Sequence, residues 1–153
     1  MNLNEEIKRI KSLMFEHSDS CVFKTTGEIN SPYGLTLCLY SPKDEKIGQV
    51  EVIDFINAFD LSEKFTNCMK HNDGTFGDDT VYMYNLEVDE NFRRQGYAEK
   101  IYEELEKILK QNNFKYTTGI IDDENIPSMN LHNKLGYQKF SDWNGKQLHY
   151  KQI

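Results

Sequence analysis

The chain has 153 residues, 38% hydrophobic and 28% charged, with a formal net charge of −7. That size and balance suit one soluble domain, residues 1–153, with a sizeable core. The acidity argues against a broad nucleic-acid surface and against an anionic membrane, and no apolar run reaches spanning length.

The chain opens on residues 2–18, where Leu3, Ile7, Ile10 and Met14 recur at helical spacing. Asn2 and Glu5 have the spacing of a capping box. The charged, amphipathic start does not read as a secretory signal. A first strand is expected over 21–29, a turn at Ser31-Pro32-Tyr33-Gly34, a strand over 35–40 and a returning strand over 47–56. Short turns join these strands, so they should pair antiparallel. Residues 57–79 have weak periodicity and read as a long loop, either a functional lid or a surface insertion. Cys21, Cys38 and Cys68 are widely spaced, and no metal-ligand spacing links them to the four histidines. No metal is expected, and the cysteines read as reduced packing thiols of a cytoplasmic protein.

Residues 81–88 are aromatic and β-branched, with Tyr82, Tyr84, Leu86 and Val88 at period two. A helix follows over 97–112 with Ala98, Ile101, Tyr102, Leu105, Ile108 and Leu109 on one stripe. Glu103–Lys107 and Glu106–Lys110 are spaced as i,i+4 pairs. The next strand covers 115–121, and strand–helix–strand at this spacing implies a right-handed crossover between parallel strands. A short helix over 128–135 follows Pro127 and stops at Gly136. The strands 137–143 and 147–153 close as a hairpin on Asn144-Gly145. The fold class is α/β with a mixed sheet.

Between the strand and the long helix lies R93-R-Q-G-Y-A98. Gly96 permits a tight turn, and the helix start offers unpaired N–H groups and a positive dipole end. With Arg93 and Arg94 beside it, this mouth suits a pyrophosphate; the plain alternative is a glycine turn with two solvated charges. Downstream comes N125-I-P-S128-M-N-L-H132-N-K-L-G-Y137. The ordered pair of segments resembles the GNAT superfamily of N-acetyltransferases, over residues 81–137. The strand VYMYNLEV also looks like that of the aminoglycoside 3-N-acetyltransferases, which have an acidic residue where this chain has Asn85.

The resemblance implies antiparallel N-terminal strands and a sheet splayed between the 81–88 and 115–121 strands, with acetyl-CoA in the gap as co-substrate. Arg93, Arg94, Gln95, Gly96, Tyr97 and Ala98 would form the pyrophosphate site. The backbone of Leu86 and Val88 would pair with the pantetheine arm. Asn125 would bond that arm, cap its helix, or do both, and Ser128 would leave room. His132 stands where the family usually has a tyrosine that protonates the leaving thiolate. It can serve that role, helped towards the cation by the helix C-terminus, or be a polar residue without chemistry. Glu87 is the strand's only carboxylate and the candidate base, with Asp54 and Tyr84 behind it. The expected activity is transfer of an acetyl group to a primary amine by direct attack. The acceptor is a small-molecule or protein amine, and the acidic balance fits a cationic one. The alternative is a non-catalytic acyl-CoA-binding or regulatory module on the same fold. The final hairpin is a candidate homodimer edge.

Overall fold

The computed structural model describes residues 2–7, 20–54 and 79–153. Residues 3–7 are helical, and the capping box closes in both directions: Glu5 N–H donates to Asn2 Oδ1 (2.9 Å) and Asn2 N–H to Glu5 Oε2 (3.4 Å). The rest of the expected first helix, residues 8–18, lies outside the described residues. So do Cys68 and residues 57–78 of the expected loop.

The strands are β1 (Val22–Gly27), β2 (Leu35–Tyr40), β3 (Lys46–Asp54), β4 (Thr80–Val88), β5 (Tyr116–Asp122), β6 (Gln138–Trp143) and β7 (Lys146–Gln152). They form one mixed sheet in the order β1-β2-β3-β4-β5-β7-β6. The first four pair antiparallel in chain order, as the short turns joining β1, β2 and β3 require of those three. The β4–β5 pair is parallel and is linked by helix α1 (Tyr97–Gln111). Helix α2 (Ile126–Leu135) follows β5, and β7 then inserts between β5 and β6. The β6–β7 turn has Asn144 and Gly145 both at positive φ (48° and 75°), the geometry expected of an Asn-Gly hairpin.

The core lies under α1. Leu37, Leu39, Ile47, Val50, Val52 and Val81 from the sheet meet Ile101, Leu105 and Leu109 from the helix, all essentially without solvent contact. The ion pairs on α1 differ from the i,i+4 expectation. Lys107 meets Glu104 at 3.7 Å, and Glu106 is engaged by Lys151 of β7. A partner from another element fixes that carboxylate more closely than a flexible helical neighbour. Among the described residues, no helix is long and apolar enough to cross a membrane.

One element departs from its expected pattern. In the β3–β4 ladder, Gln49 faces Glu87 and Glu51 faces Tyr84, so two steps of β3 oppose three of β4. The extra residue is a bulge, with Asn85 at φ 49° and its side-chain amide donating to Glu51 Oε2 at 2.5 Å. The bulge reverses the strand's alternation. Tyr82 and Tyr84 stack together (centroids 5.6 Å apart), but Leu86 and Val88 cross over to pack against the core that contains Val81 and Met83. The four residues read as one stripe therefore lie on two faces. Asn85→Val should destabilise the fold by about 1–2 kcal/mol, since a β-branched residue resists positive φ. Asn85→Gly should cost less in urea denaturation; equal losses would show that the amide bond to Glu51, not the backbone, is what matters.

Candidate active site

Parallel pairing between β4 and β5 lasts for only three residue pairs, Thr80–Tyr116, Val81–Thr117 and Tyr82–Thr118. Thr118 Oγ1 donates to Val81 O at 2.8 Å and closes this end. Beyond it the strands part, while β5 stays paired with β7 along its whole length. Met83 of β4 and His132 of α2 occupy the vertex. Gly119 makes this possible: a Cβ there would lie 3.3 Å from His132 Cε1 and 3.8 Å from Met83 Cε. The parting opens a cleft of about 550 Å³, lined by Leu86, Glu87, Tyr102, Asn125, Ser128 and His132 among others. Leu86 and Ser128 also line a hollow of about 390 Å³ that runs to the start of α1.

At that start the backbone alternates sharply. Arg94 has φ 63° and Gly96 φ 79°, both left-handed. A Cβ on Gly96 would meet nothing within 4 Å, so the space before the helix is open. Gly96 is the N-cap and no side chain caps the helix, which leaves first-turn N–H donors for an external acceptor. The two arginines divide. Arg93 Nε donates to Val88 O at 3.0 Å and ties the turn to the end of β4. Both line the hollow, with Gly96, Tyr97 and Ala98. Gln95 instead folds its amide back towards Asn91 O at 3.4 Å. The only first-turn carboxylate, Glu99, is paired with Lys134 at 2.6 Å, which offsets its repulsion of an anion. The donor set and the open space fit a pyrophosphate.

Across the cleft, Asn125 Oδ1 accepts from Ser128 N–H at 3.3 Å, so Asn125 caps α2 while also lining the cleft. Glu87 is exposed on β4 and shares the cleft wall with Tyr84 and Asp122. Asp54 is buried at the end of β3 and does not line the cleft. Among the described residues, no three His, Cys, Asp or Glu side chains gather as a metal site.

His132 points inward, and the structure corrects the expectation of a cation there. It is 4% exposed and stacks on Tyr137 with centroids 4.3 Å apart. Its Nε2 lies 2.8 Å from Tyr102 Oη and its Nδ1 3.2 Å from His149 Nδ1. Burial, and secondarily the positive charge His149 can carry, lower its pKa to about 4. Desolvation in this aromatic pocket outweighs the helix dipole, and His132 is neutral at pH 7. Burial and Lys139 lower the pKa of His149 as well. Burial raises Tyr102 well above the ordinary phenol range. By sequence spacing Tyr102 is one more core residue of the α1 stripe, and His149 is part of the closing hairpin. Only the placement of β7 beside β5 brings the second histidine to the first; no sequence spacing signals it.

Two kinds of likeness agree with this geometry. Residues 10–137 match the Acetyltransferase (GNAT) family, and the chain belongs to that family. No curated protein matches the sequence. Among solved structures, the IAA acetyltransferase from Bacillus cereus ATCC 14579 aligns with a TM-score of 0.62 at 12% identity, covering 87% of this chain and 99% of that one. The PaiA N-acetyltransferase from Thermoplasma acidophilum, in complex with coenzyme A, gives 0.59 at 12% identity. This chain spans 60% of that protein's length, and 77% of this chain is covered. The ribosomal-protein-S18-alanine N-acetyltransferase from Escherichia coli gives 0.59 at 14% identity, covering 84% of this chain and 72% of that one. The fold is thus the GNAT fold, with the parallel pair at its centre.

The neutral His132 has a consequence for stability. Its folded pKa of about 4 lies below the unfolded value of about 6.5, so the unfolded chain takes up the proton first as pH falls. Its contribution is complete above pH ~6.5 and declines through pH 4, by up to about 3 kcal/mol. Urea denaturation of the protein and of His132→Phe across this range should show a shallower pH slope in the variant. Parallel slopes would mean that His132 is already charged in the fold.

Proposed function

We propose that this acetyltransferase-family chain transfers the acetyl group of acetyl-CoA to a primary amine by direct attack. The observation that carries the reading is the gap between β4 and β5, which joins an anion-binding helix start to a buried polar cluster. Backbone N–H groups from Arg94 to Ala98 take the pyrophosphate, with the charge of Arg94 beside them. The edge of β4 that β5 leaves at Leu86 and Val88, where only Val88 O is taken by Arg93, meets the pantetheine arm as an added strand does. Asn125 and Ser128 face the arm from α2. A bound thioester supplies an activated acyl group whose carbonyl is polarised by backbone N–H groups near Leu86 to Val88. Much of the rate then comes from holding amine and acyl carbon together in the cleft.

The acceptor enters as a cation. Glu87 and Asp122 line the cleft beside Tyr84, a wall of carboxylate and aromatic character that attracts a protonated amine. Glu87, exposed to water, takes one of the amine's protons in this reading, directly or through solvent. A polyamine, an aminoglycoside-like compound and a protein lysine or N-terminus all fit this chemistry.

Calorimetric titration with acetyl-CoA tests the cofactor half. The protein should bind, and the Arg94→Glu, Gly96→Asp double variant should bind at least tenfold more weakly. No binding by the intact protein would overturn the reading. For the transfer half, turnover of an amine found by screening should fall far more in His132→Ala than acetyl-CoA affinity does. Tight binding with no amine acetylated in a broad panel would point instead to a regulatory acyl-CoA module.

A further inference from the structure

The cleft leads into a buried polar cluster whose members Tyr102, His149 and Gln147 the reaction outlined above leaves unused. Tyr102 from α1 lines the cleft and its hydroxyl meets His132 Nε2 at 2.8 Å. His132 Nδ1 meets His149 Nδ1 at 3.2 Å, and His149 Nε2 meets Gln147 Oε1 at 3.0 Å. Both histidines are buried, whereas Gln147 on β7 is only half-buried. We propose that Tyr102, His132 and His149 form a proton-conducting chain from the cleft towards the protein surface, with the Gln147 amide orienting its outer end. The proposal rests on the acetyl-transfer reading and supplies its proton traffic.

The chain has a defined polarity. Gln147 Oε1 can only accept, so His149 carries its proton on Nε2. His149 Nδ1 then accepts, which places the proton of His132 on Nδ1. His132 Nε2 in turn accepts from the Tyr102 hydroxyl. Every donor points outward. In this state a proton arriving from the acceptor amine joins Tyr102 Oη as the hydroxyl proton moves to His132 Nε2. The Nδ1 proton of His132 passes to His149 Nδ1, and the Nε2 proton of His149 leaves to water. One proton enters and one leaves, and each ring remains neutral.

Every donor now points inward, with the Gln147 amide turned to donate to His149 Nε2. Tyr102 O–H faces the cleft and gives its proton to the departing sulfur. His132 and His149 each pass one along, and His149 Nε2 takes one from water. That second passage restores the starting state, so the chain resets once per turnover. The other proton of the attacking nitrogen goes to Glu87, directly or through cleft water.

The groups packed around the chain support concerted movement. Tyr102 resists losing its proton and His132 resists gaining a second, so neither stores charge. Lys139, paired with His149 across the β6–β7 ladder, adds a positive charge that disfavours imidazolium there. Tyr137 stacks on His132, but its hydroxyl is engaged with Thr117 Oγ1 at 2.7 Å and Met83 Sδ at 3.5 Å, so it does not divert the proton. Lys151 and Glu106 are engaged with each other.

Nitrogen NMR of the histidine rings tests this with CoA itself as the probe. In the free protein, His132 should carry one proton on Nδ1 and His149 one on Nε2. Binding CoA as thiolate should move both, to His132 Nε2 and His149 Nδ1. Tyr102→Phe should abolish the switch while both rings stay buried. Difference absorbance against a desulfo-CoA blank should show the bound thiol titrating at least one pH unit lower in the intact protein than in Tyr102→Phe. CoA binding with unchanged tautomers, or with the same thiol titration in both proteins, would overturn the chain alone. Failure of CoA to bind at all would overturn the acetyl-transfer reading and the chain with it.

Discussion

Everything in this molecule turns on the point where two parallel strands stop pairing. Three residue pairs and the Thr118–Val81 hydrogen bond hold β4 against β5. Past them, the side chains of Met83 and His132 fill the vertex and the backbones separate. A sheet that parts exposes amide and carbonyl groups that must find partners. The fold places the neighbouring elements so that an extended, polar-backboned ligand is a natural partner. The helix start offers donors at one end of the gap, and the buried histidine cluster ends the other.

Two distortions of regular structure shape the walls. The bulge at Asn85 turns Leu86 and Val88 towards the core and leaves Glu87 on the open side. The left-handed residues Arg94 and Gly96 aim the α1 N-terminus at the gap. Positive φ at Asn85 and Arg94 costs local backbone energy, and a specific hydrogen bond lies at each: Asn85 to Glu51, and the neighbouring Arg93 to Val88 O. Strain tied down in this way is typical of positions that serve a site rather than a core.

Much of this architecture was legible in the amino-acid sequence, because it rests on local rules. Strand alternation, the α1 stripe, the Asn-Gly turn and the Gly96 and Gly136 breaks each depend on a few adjacent residues. The anion-binding helix start was legible for the same reason, whereas the motif pair 93–98 and 125–137 signalled the cleft only through its resemblance to the GNAT superfamily. What escaped depends on tertiary neighbours. The β4 stripe from Tyr82 to Val88 looked continuous, since a bulge leaves no mark on hydrophobic period when both faces carry apolar residues. Tyr102 was indistinguishable from core residues three and four positions away. His132 was expected to favour its cationic form because the helix dipole is visible in sequence and the aromatic pocket is not. His149 sits 17 positions away and meets His132 only through the order β5-β7-β6.

The short β4–β5 junction also divides the sheet along the chain. Residues 22–88 supply β1 to β4, residues 116–152 supply β5 to β7, and α1 bridges the two parts. Each part is zipped by antiparallel ladders, and the seam between them is the least hydrogen-bonded line through the sheet. A ligand that lies along this seam adds contacts absent from the unfolded chain, so it stabilises the native state in proportion to the logarithm of its concentration. The protein's resistance to unfolding is thereby coupled to the supply of whatever spans the gap. A scarcity of that ligand would be felt first as a looser junction between the two halves, before either half loses its own ladder.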